Sequence, residues 1–567
     1  MVNVRRELIL DITEALGAAK NAGVLVFDDA DIEVVVKRTD DAQFGHYSSP
    51  VALSLAKIAK KPPIEIAEII SAHMPKRAYI EKGEATAPGF INITIDDAYL
   101  ASRLDDLPHD DMRSACNVGN NQTINMEFIS ANPTGPLTLG NARTAFSADT
   151  LGSVMAYAGY NVIREYYIND AGNQILRLGE SVLRRILQQQ GLVLDFPEGL
   201  YQGEYIIEMA KQIAEEYKET FGKTFEPADL ENASLLSELS TKAMQSCLAA
   251  IKKTIADDLH IHFDVWTSEK VVRESGEIEK VIGRLKEKNL MYEKDGAQFL
   301  KTTDFGDDKD RVMIRKDGSY AYITPDVAYH QGKFDRKFDH MFTYLGADHQ
   351  GHIPKLKAAL TALGNDTNKL DMLVTQWFVL MRGGEKVSFS KRKGNVYSPK
   401  EFIEEIGYDV ARFLMVQHAL DGHMTLDMDA AKEKSDANPV YYVQYAYVRL
   451  EAIIRKAKVQ GIIPPSDIVS EISSNVVVSH DAERSLALQM FAFPEVIEDI
   501  ATTFSVHQLT QYAYNLARCV NAFYRDVQVL SEEDEDLRKS RLQIVFAARS
   551  VLGNVIDLLG ISKPDVM

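Results

Sequence analysis

Three stretches of this sequence carry side chains whose types and spacing could do chemistry. The first is the turn Ala131-Asn132-Pro133-Thr134-Gly135-Pro136-Leu137-Thr138-Leu139-Gly140-Asn141, set between a strand-like run from Thr123 to Ser130 and a helical pattern that continues to Gly159. A strand resumes at Val162. Such a strand–turn–helix–strand unit aims the unpaired N–H groups of the helix start beyond the carboxyl end of a sheet, where they can hold phosphate; a plain structural turn reads equally well from the residues alone. The second stretch follows the hairpin-like turn Arg382-Gly383-Gly384-Glu385-Lys386 and runs Val387-Ser388-Phe389-Ser390-Lys391-Arg392-Lys393-Gly394-Asn395. Small hydroxyl residues beside three consecutive cations and a glycine make a flexible positive loop suited to closing on pyrophosphate, although a charge run of this kind also reads as a solvated loop. The third is Gly346-Ala347-Asp348-His349-Gln350-Gly351-His352 after the strand Met341 to Leu345. Two histidines and an aspartate so close together could hold a metal or could be ordinary turn residues.

These motifs carry a resemblance. The stretch from Glu127 to Arg143, with Tyr166-Tyr167-Ile168-Asn169-Asp170-Ala171-Gly172-Asn173-Gln174 after it, resembles the arginyl-tRNA synthetase form of the class I synthetase signature region. The family has histidine at the first and last places of a tetrapeptide that here reads Thr138-Leu139-Gly140-Asn141. Threonine and asparagine donate hydrogen bonds but carry no positive charge, and a lost charge-assisted donor is worth about 1–3 kcal/mol of transition-state stabilisation. The loop Ser388-Phe389-Ser390-Lys391-Arg392 is similar to the Lys-Met-Ser-Lys-Ser loop of class I enzymes, with Ser388 in place of the first lysine and Phe389 in place of methionine.

The resemblance implies roles residue by residue. Lys391, Arg392, Thr138 and Asn141 would act on the phosphates, with Lys386 or Lys393 supplying the missing charge. ATP, brought with Mg2+, would lie against Pro133, Thr134, Gly135, Thr138, Gly140, Asn141, Gly346, Asp348, Ser390 and Lys391, so the third stretch is assigned to ATP and substrate and no metal site is expected. An arginine substrate needs carboxylates, because guanidinium is always charged and prefers planar, bidentate acceptors. Glu127, Tyr322 and Asp326 would receive it, the last two in Tyr322-Ile323-Thr324-Pro325-Asp326, where Pro325 is a harmless departure. Ser130 and Asn132 would hold the α-amino end, with His349 also at the substrate.

The elements that must position these groups form three zones. Residues 1–110 mix helical patterns with short strands and end in Pro88-Gly89-Phe90-Ile91-Asn92-Ile93-Thr94, a small α/β module. From 111 to 400 strands, Gly-rich turns and helices recur, the pattern of a doubly wound parallel sheet, Rossmann-type, with a charged helical insertion at about 175–310. Residues 401–567 keep helical spacing to the end, broken by Pro464-Pro465 and the acidic turn Glu532 to Asp536, an all-α bundle. In Asn438 to Arg449 a Tyr-rich helix reads as core or as a stacking surface for unpaired bases. By resemblance this is the anticodon-binding bundle, with Tyr441, Gln444, Tyr445, Arg449, Tyr524 and the terminal Met567 facing tRNA, while Phe90 and Asn92, near a stretch Phe44-Gly45-His46-Tyr47, touch the outer corner of the same tRNA.

Composition limits the alternatives. At 567 residues, 46% hydrophobic and 26% charged, the chain is a multidomain globular protein. Cys116, Cys247 and Cys519 are far apart and form no metal-ligand spacing, as for buried thiols in a reducing cytoplasm. No run approaches the roughly eighteen apolar residues of a membrane span, and the first residues lack the apolar core of a signal peptide. A net charge of -19 argues against a protein that coats nucleic acid non-specifically, yet leaves room for placed contacts to RNA. The expectation is an arginine–tRNA ligase that forms arginyl-adenylate from L-arginine and ATP and transfers it to the 2′-OH of the terminal adenosine of tRNA(Arg), releasing AMP and diphosphate. The family implies a cytoplasmic monomer that binds tRNA before it forms adenylate. The alternative is a catalytically silent tRNA-binding regulatory relative, suggested by the missing histidines and lysine.

Overall fold

The computed structural model describes residues 3–28, 32–39, 41–107, 112–387, 397–433, 435, 438–463 and 476–567. The chain divides into two compact units, residues 1–118 with 434–504 and 508–567, and residues 119–433 with 505–507.

In the first unit β1 (Lys37–Arg38), β2 (Tyr47–Ser49), β3 (Ile80–Thr86) and β4 (Phe90–Ile95) form an antiparallel sheet in the order β1-β2-β4-β3. The alternation Phe-Ile-Asn-Ile-Thr-Ile in β4 puts Ile91, Ile93 and Ile95 into the core, where helices Val51–Ala59 and Pro63–His73 pack. The same unit holds the helices Pro439–Val459, Asp481–Phe491, Phe493–Thr503 and Glu535–Leu559 with most of His507–Asp526. The amino-terminal module does not stand apart from them. Tyr47 Oη donates to Glu495 Oε1 at 2.7 Å, Asn3 Nδ2 to Glu498 Oε2 at 2.7 Å, and Arg484 Nε to Asp97 at 2.8 and 3.0 Å. Helix Glu535–Leu559 contains an 18-residue stretch of mean hydropathy 1.5, long and apolar enough for a membrane span although polar residues interrupt it. That stretch is 78% buried, so its apolarity is the core of the bundle.

The second unit is built on β5 (Thr123–Glu127), β6 (Asn161–Ile168) and β7 (Val265–Ser268), followed by a small antiparallel sheet of β8 (Met291–Lys294), β9 (Ala297–Leu300) and β10 (Arg311–Ile314), and then β11 (His340–Gly346) and β12 (Leu370–Thr375). The main sheet is parallel throughout and runs β12-β11-β5-β6-β7. Strand order reverses between β5 and β11, and in such sheets the crevice at the carboxyl ends of the two reversing strands is where ligands bind. Within 175–310 the helices Asn173–Gln189, Glu204–Phe221 and Ala233–Lys253 enclose a core of their own, including Leu183, Ile213 and Leu239; the chain then returns to the main sheet as β7. Beyond β12 come β13 (Phe378–Arg382), β14 (Glu385–Val387) and β15 (Met424–Asp427), ordered β14-β13-β15. The β13–β14 turn is Gly383-Gly384, both with positive φ (58° and 78°), which glycine adopts without strain.

Candidate active site

The carboxyl end of β5 is bent sharply. Ile129 and Ser130 hold φ of 66° and 37°, a region that a β-branched residue enters only under strain. Bonds from the neighbouring strand end keep the bend in place: Tyr167 N donates to Ser130 Oγ at 3.1 Å, Asn169 Nδ2 to Ser130 O at 2.9 Å, and Tyr166 Oη to Ala131 O at 3.1 Å. Ser130 Oγ is thereby turned back to donate to Glu127 Oε1 at 3.0 Å. Farther along, Thr134 N bonds Asn132 O, and Tyr205 Oη, from the helical insertion, donates to Thr134 O at 2.8 Å. A Cβ on Gly135 would sit 2.9 Å from the Tyr205 ring, so the contact requires glycine there.

Helix Leu139–Tyr157 begins after Thr138, which has the extended backbone of an N-cap. The two residues in the histidine places bond each other: Thr138 N and Thr138 Oγ1 both donate to Asn141 Oδ1, at 2.9 and 2.8 Å. With its carbonyl occupied, Asn141 has its Nδ2 side left to donate. A Cβ on Gly140 would meet only Thr138 Oγ1 at 3.7 Å, so nothing in the chain itself demands glycine. One turn on, the buried Arg143 donates to Gln376 O, Ala419 O and Gly422 O at 2.7, 2.8 and 2.9 Å. It ties the helix to segments on both sides of residues 388–396 in the chain.

Beside the bend lies an acidic pocket. Asp326 stands in the first turn of helix Ile323–Asp335, where Pro325 costs no backbone bond. His352 Nε2 approaches Asp326 Oδ2 to 2.9 Å, and the His352 ring meets the edge of Tyr322, which is 65% exposed. Glu269, at the start of the short helix after β7, is paired with Arg273 at 2.6 Å. Burial, reinforced by Asp326 and Asp170 against the pull of Arg273, raises the Glu269 carboxyl above its usual range. The Tyr167 hydroxyl is buried and finds no partner among the described residues; burial and then Glu269, Asp326 and Glu127 raise it well above the phenol range. The charges of Glu269, Asp326 and Glu127 thus all act on this one buried hydroxyl. Glu127 itself is buried, and its Oε2 receives Lys333 Nζ at 2.6 Å.

Glu269, Tyr167 and Lys333 escape the reading by motif. Asp326 and Lys333 do carry a signal, since seven residues apart on one helix puts both on one face.

At the end of β11, Gly346 pairs with Thr375 of β12, and a Cβ on Gly346 would lie 2.6 Å from Asp348 Oδ1. The two histidines of this turn part company: His349 Nε2 lies 3.6 Å from Asp348 Oδ2 and both are exposed, whereas His352 goes to Asp326. Lys386 is exposed on β14. Ser388, Ser390, Lys391, Arg392 and Lys393 lie outside the described residues.

The family model described as tRNA synthetases class I (R), catalytic domain, matches residues 104–448. The chain belongs to the arginyl-tRNA synthetase family. An arginyl-tRNA synthetase N-terminal domain matches residues 6–95 and a DALR anticodon binding domain residues 443–567. Among curated relatives, the arginine–tRNA ligase of Bacillus subtilis is 38% identical over 569 residues, covering 100% of both chains. That of Geobacillus kaustophilus is 39% identical over 552 residues, covering 97% of each. The arginyl-tRNA synthetase structures from Thermus thermophilus (TM-score 0.76, 21% identity, 99% of this chain and 100% of that one) and Plasmodium falciparum (TM-score 0.76, 16% identity, 100% of both) share the fold. As a class I synthetase the protein uses ATP.

In the DALR region of this synthetase, the Arg449 guanidinium lies between the rings of Tyr445 and Tyr524, 4.4 and 4.8 Å from their centroids, and donates to Asn521 Oδ1 at 2.7 Å. Tyr524 is 42% exposed and Tyr441 partly so. Gln444 is buried, and its amide donates to Ser562 O and Oγ at 3.0 and 3.2 Å. These bonds, with that of Arg455 to Asp565 O at 3.2 Å, join helix Pro439–Val459 to the chain end, where Met567 is half exposed. In β4 Phe90 is partly exposed, while Asn92 accepts from Ser48 Oγ and donates to Thr86 Oγ1, at 2.7 and 3.2 Å.

Proposed function

We infer that this chain is an arginine–tRNA ligase which activates L-arginine with Mg·ATP and passes the arginyl group to the 2′-OH of the terminal adenosine of tRNA(Arg). The observation that carries this reading is the buried Glu127 carboxylate, oriented by Ser130 Oγ at 3.0 Å on the bend that leads into the strand–turn–helix unit, at the reversal point of a parallel sheet. Guanidinium offers five N–H donors in a fixed plane and always carries its charge, which suits several carboxylates around one cleft.

In the first step the arginine carboxylate attacks the α-phosphate and diphosphate leaves; in the second the ribose hydroxyl attacks the acyl carbonyl and AMP leaves. The chain's part is positioning and charge stabilisation. Glu127, Tyr322, Asp326 and Glu269 take the guanidinium, Ser130 and Asn132 the α-amino end, and His349 stands at the substrate. Asn141 Nδ2 and the first backbone N–H groups of helix Leu139–Tyr157 hold phosphate alongside Pro133, Thr134, Gly135, Gly140, Gly346 and Asp348. Lys391, with Ser390 and Arg392, stabilises the departing diphosphate. Tyr445, Arg449, Tyr524, Tyr441 and Met567 form the RNA-facing group. The functional division is 1–110, 111–400 and 401–567, in a cytoplasmic monomer. ATP–pyrophosphate exchange with arginine, run with and without tRNA(Arg), tests the reading; no exchange in either arm refutes it and leaves the silent tRNA-binding protein.

A further inference from the structure

Lys333 is fully buried in the second turn after Asp326, and the machinery described so far gives it no task. Its Nζ lies 2.6 Å from Glu127 Oε2 and 3.2 Å from Thr343 Oγ1, and 4.7 Å from the centroid of the Tyr329 ring. Stability does not call for such an arrangement. Removing two charges from water costs several kcal/mol per ion, and an apolar pair of similar volume commonly does as well or better. The pair therefore invites a role in the chemistry of the pocket.

We propose that Lys333 is a positioning residue for arginine recognition, holding Glu127 as a carboxylate with Oε1 turned toward the substrate. The proposal rests on reading the acidic pocket as the arginine site. Lys333 engages Oε2 from the helix side, while Ser130 Oγ, on the strained bend, engages Oε1. The carboxylate is thus gripped at both ends in one orientation.

The neighbours of Glu127 explain why the cation must be this one. On the same helix His330 is pushed down to about 3, by burial first and then by Lys333, so it stays neutral; Asp326 and Tyr329 bring no positive charge. From β6 come Glu165 and Tyr167; Glu165 is ion-paired with Arg336 at 2.7 Å, and the charge of Lys333 also favours its ionised form. From β11 comes only the Thr343 hydroxyl, 3.4 Å from Oε2. Among the described residues Lys333 is the cation paired with Glu127. Without it, a buried carboxylate set next to Glu165 in the sheet would take up a proton, and arginine would have to displace that proton in order to bind.

The test is the KM for arginine in ATP–pyrophosphate exchange with tRNA(Arg) present, from about pH 6 to about pH 9, a range that spans a raised carboxyl pKa. The unaltered protein is expected to show a nearly flat profile. Lys333→Met is expected to raise the arginine KM about tenfold at the acid end, falling by up to about tenfold per pH unit as Glu127 loses its proton, with the KM for ATP within about twofold of normal. Lys333→Met with Glu127→Gln should lose that slope. A flat profile in Lys333→Met, or a slope that persists in the double variant, overturns the proposal, as does an equal rise in both KM values. If Lys333→Met does not fold, Lys333→Gln, which keeps a hydrogen-bonding side chain against Glu127 but no charge, is read by the same criteria. Absence of exchange in the unaltered protein overturns the arginine reading itself and the proposal with it, a result distinct from any variant behaviour.

Discussion

Replacing Arg143 with methionine tests how helix Leu139–Tyr157 is tied to the segments that precede and follow residues 388–396. Arg143 is buried and makes three hydrogen bonds to backbone carbonyls, at 2.7, 2.8 and 2.9 Å, with no carboxylate in hydrogen-bonding contact among the described residues. Bonds from a charged donor are worth about 1.5–3 kcal/mol each, a gross contribution of roughly 4–9 kcal/mol. Against this stands the cost of burying a guanidinium, visible as a lowered pKa caused by burial and only partly opposed by Asp421. Methionine removes that cost but leaves three carbonyls to find water, so the net loss is about 2–4 kcal/mol. For a unit of this size that lowers Tm by roughly 5–10 °C in calorimetry. The functional loss has its own signature. Gln376 precedes residues 388–396 and Ala419 and Gly422 follow them, so loosening both flanks should reduce kcat for exchange about tenfold or more while the arginine KM holds. An unchanged Tm refutes the energetic argument. A rise in arginine KM with normal kcat refutes the link to the loop.

Three further outcomes are expected. Glu269→Gln should raise the arginine KM about tenfold with little change in the KM for ATP, because its carboxylate feels Asp326 and belongs to the same acidic group; identical arginine KM values would remove Glu269 from the site. Unfolding free energy measured against pH should be steady above about pH 6.5 and fall below it, since His330 takes a proton in the unfolded chain near its ordinary pKa but in the folded one only near about 3. The contribution reaches up to about 1.4 kcal/mol per pH unit, and His330→Gln should flatten the fall by one proton, a slope that chemical denaturation can resolve. Gly135→Ala should cost about 1–2 kcal/mol by forcing Tyr205 Oη off Thr134 O, and the cost should vanish in a Tyr205→Ala background; equal costs in both would mean the clash lies elsewhere.

Local order was readable where the residues themselves dictate geometry. The strand, turn and helix around Thr138, the Gly383-Gly384 hairpin and the alternation in β4 follow from spacing and from what glycine and β-branched residues prefer. Partnerships across the chain were not readable. Lys333 reaches a carboxylate 206 positions away, and Tyr205 meets Thr134 from a helical stretch that shows no motif. Glu269 looks like any acid in the first turn of a short helix until the sheet brings Asp326 beside it. Thr138 and Asn141 could be recognised as replacements for histidine, but not as partners of each other, because a Thr at the cap and an Asn three residues on describe a helix start equally well.

The strained bend at Ile129 and Ser130 has a consequence for anyone who wishes to make this enzyme hardier. Positive φ at two successive residues is where directed evolution for heat tolerance finds inexpensive gains, by admitting glycine or asparagine. Here the same torsions aim Ser130 Oγ at Glu127 and hold it under Tyr167 N. Selection for robustness and selection for turnover would pull these two positions in opposite directions, and a library screened only for survival on heating would erode the proposed arginine site before any loss of fold betrayed it.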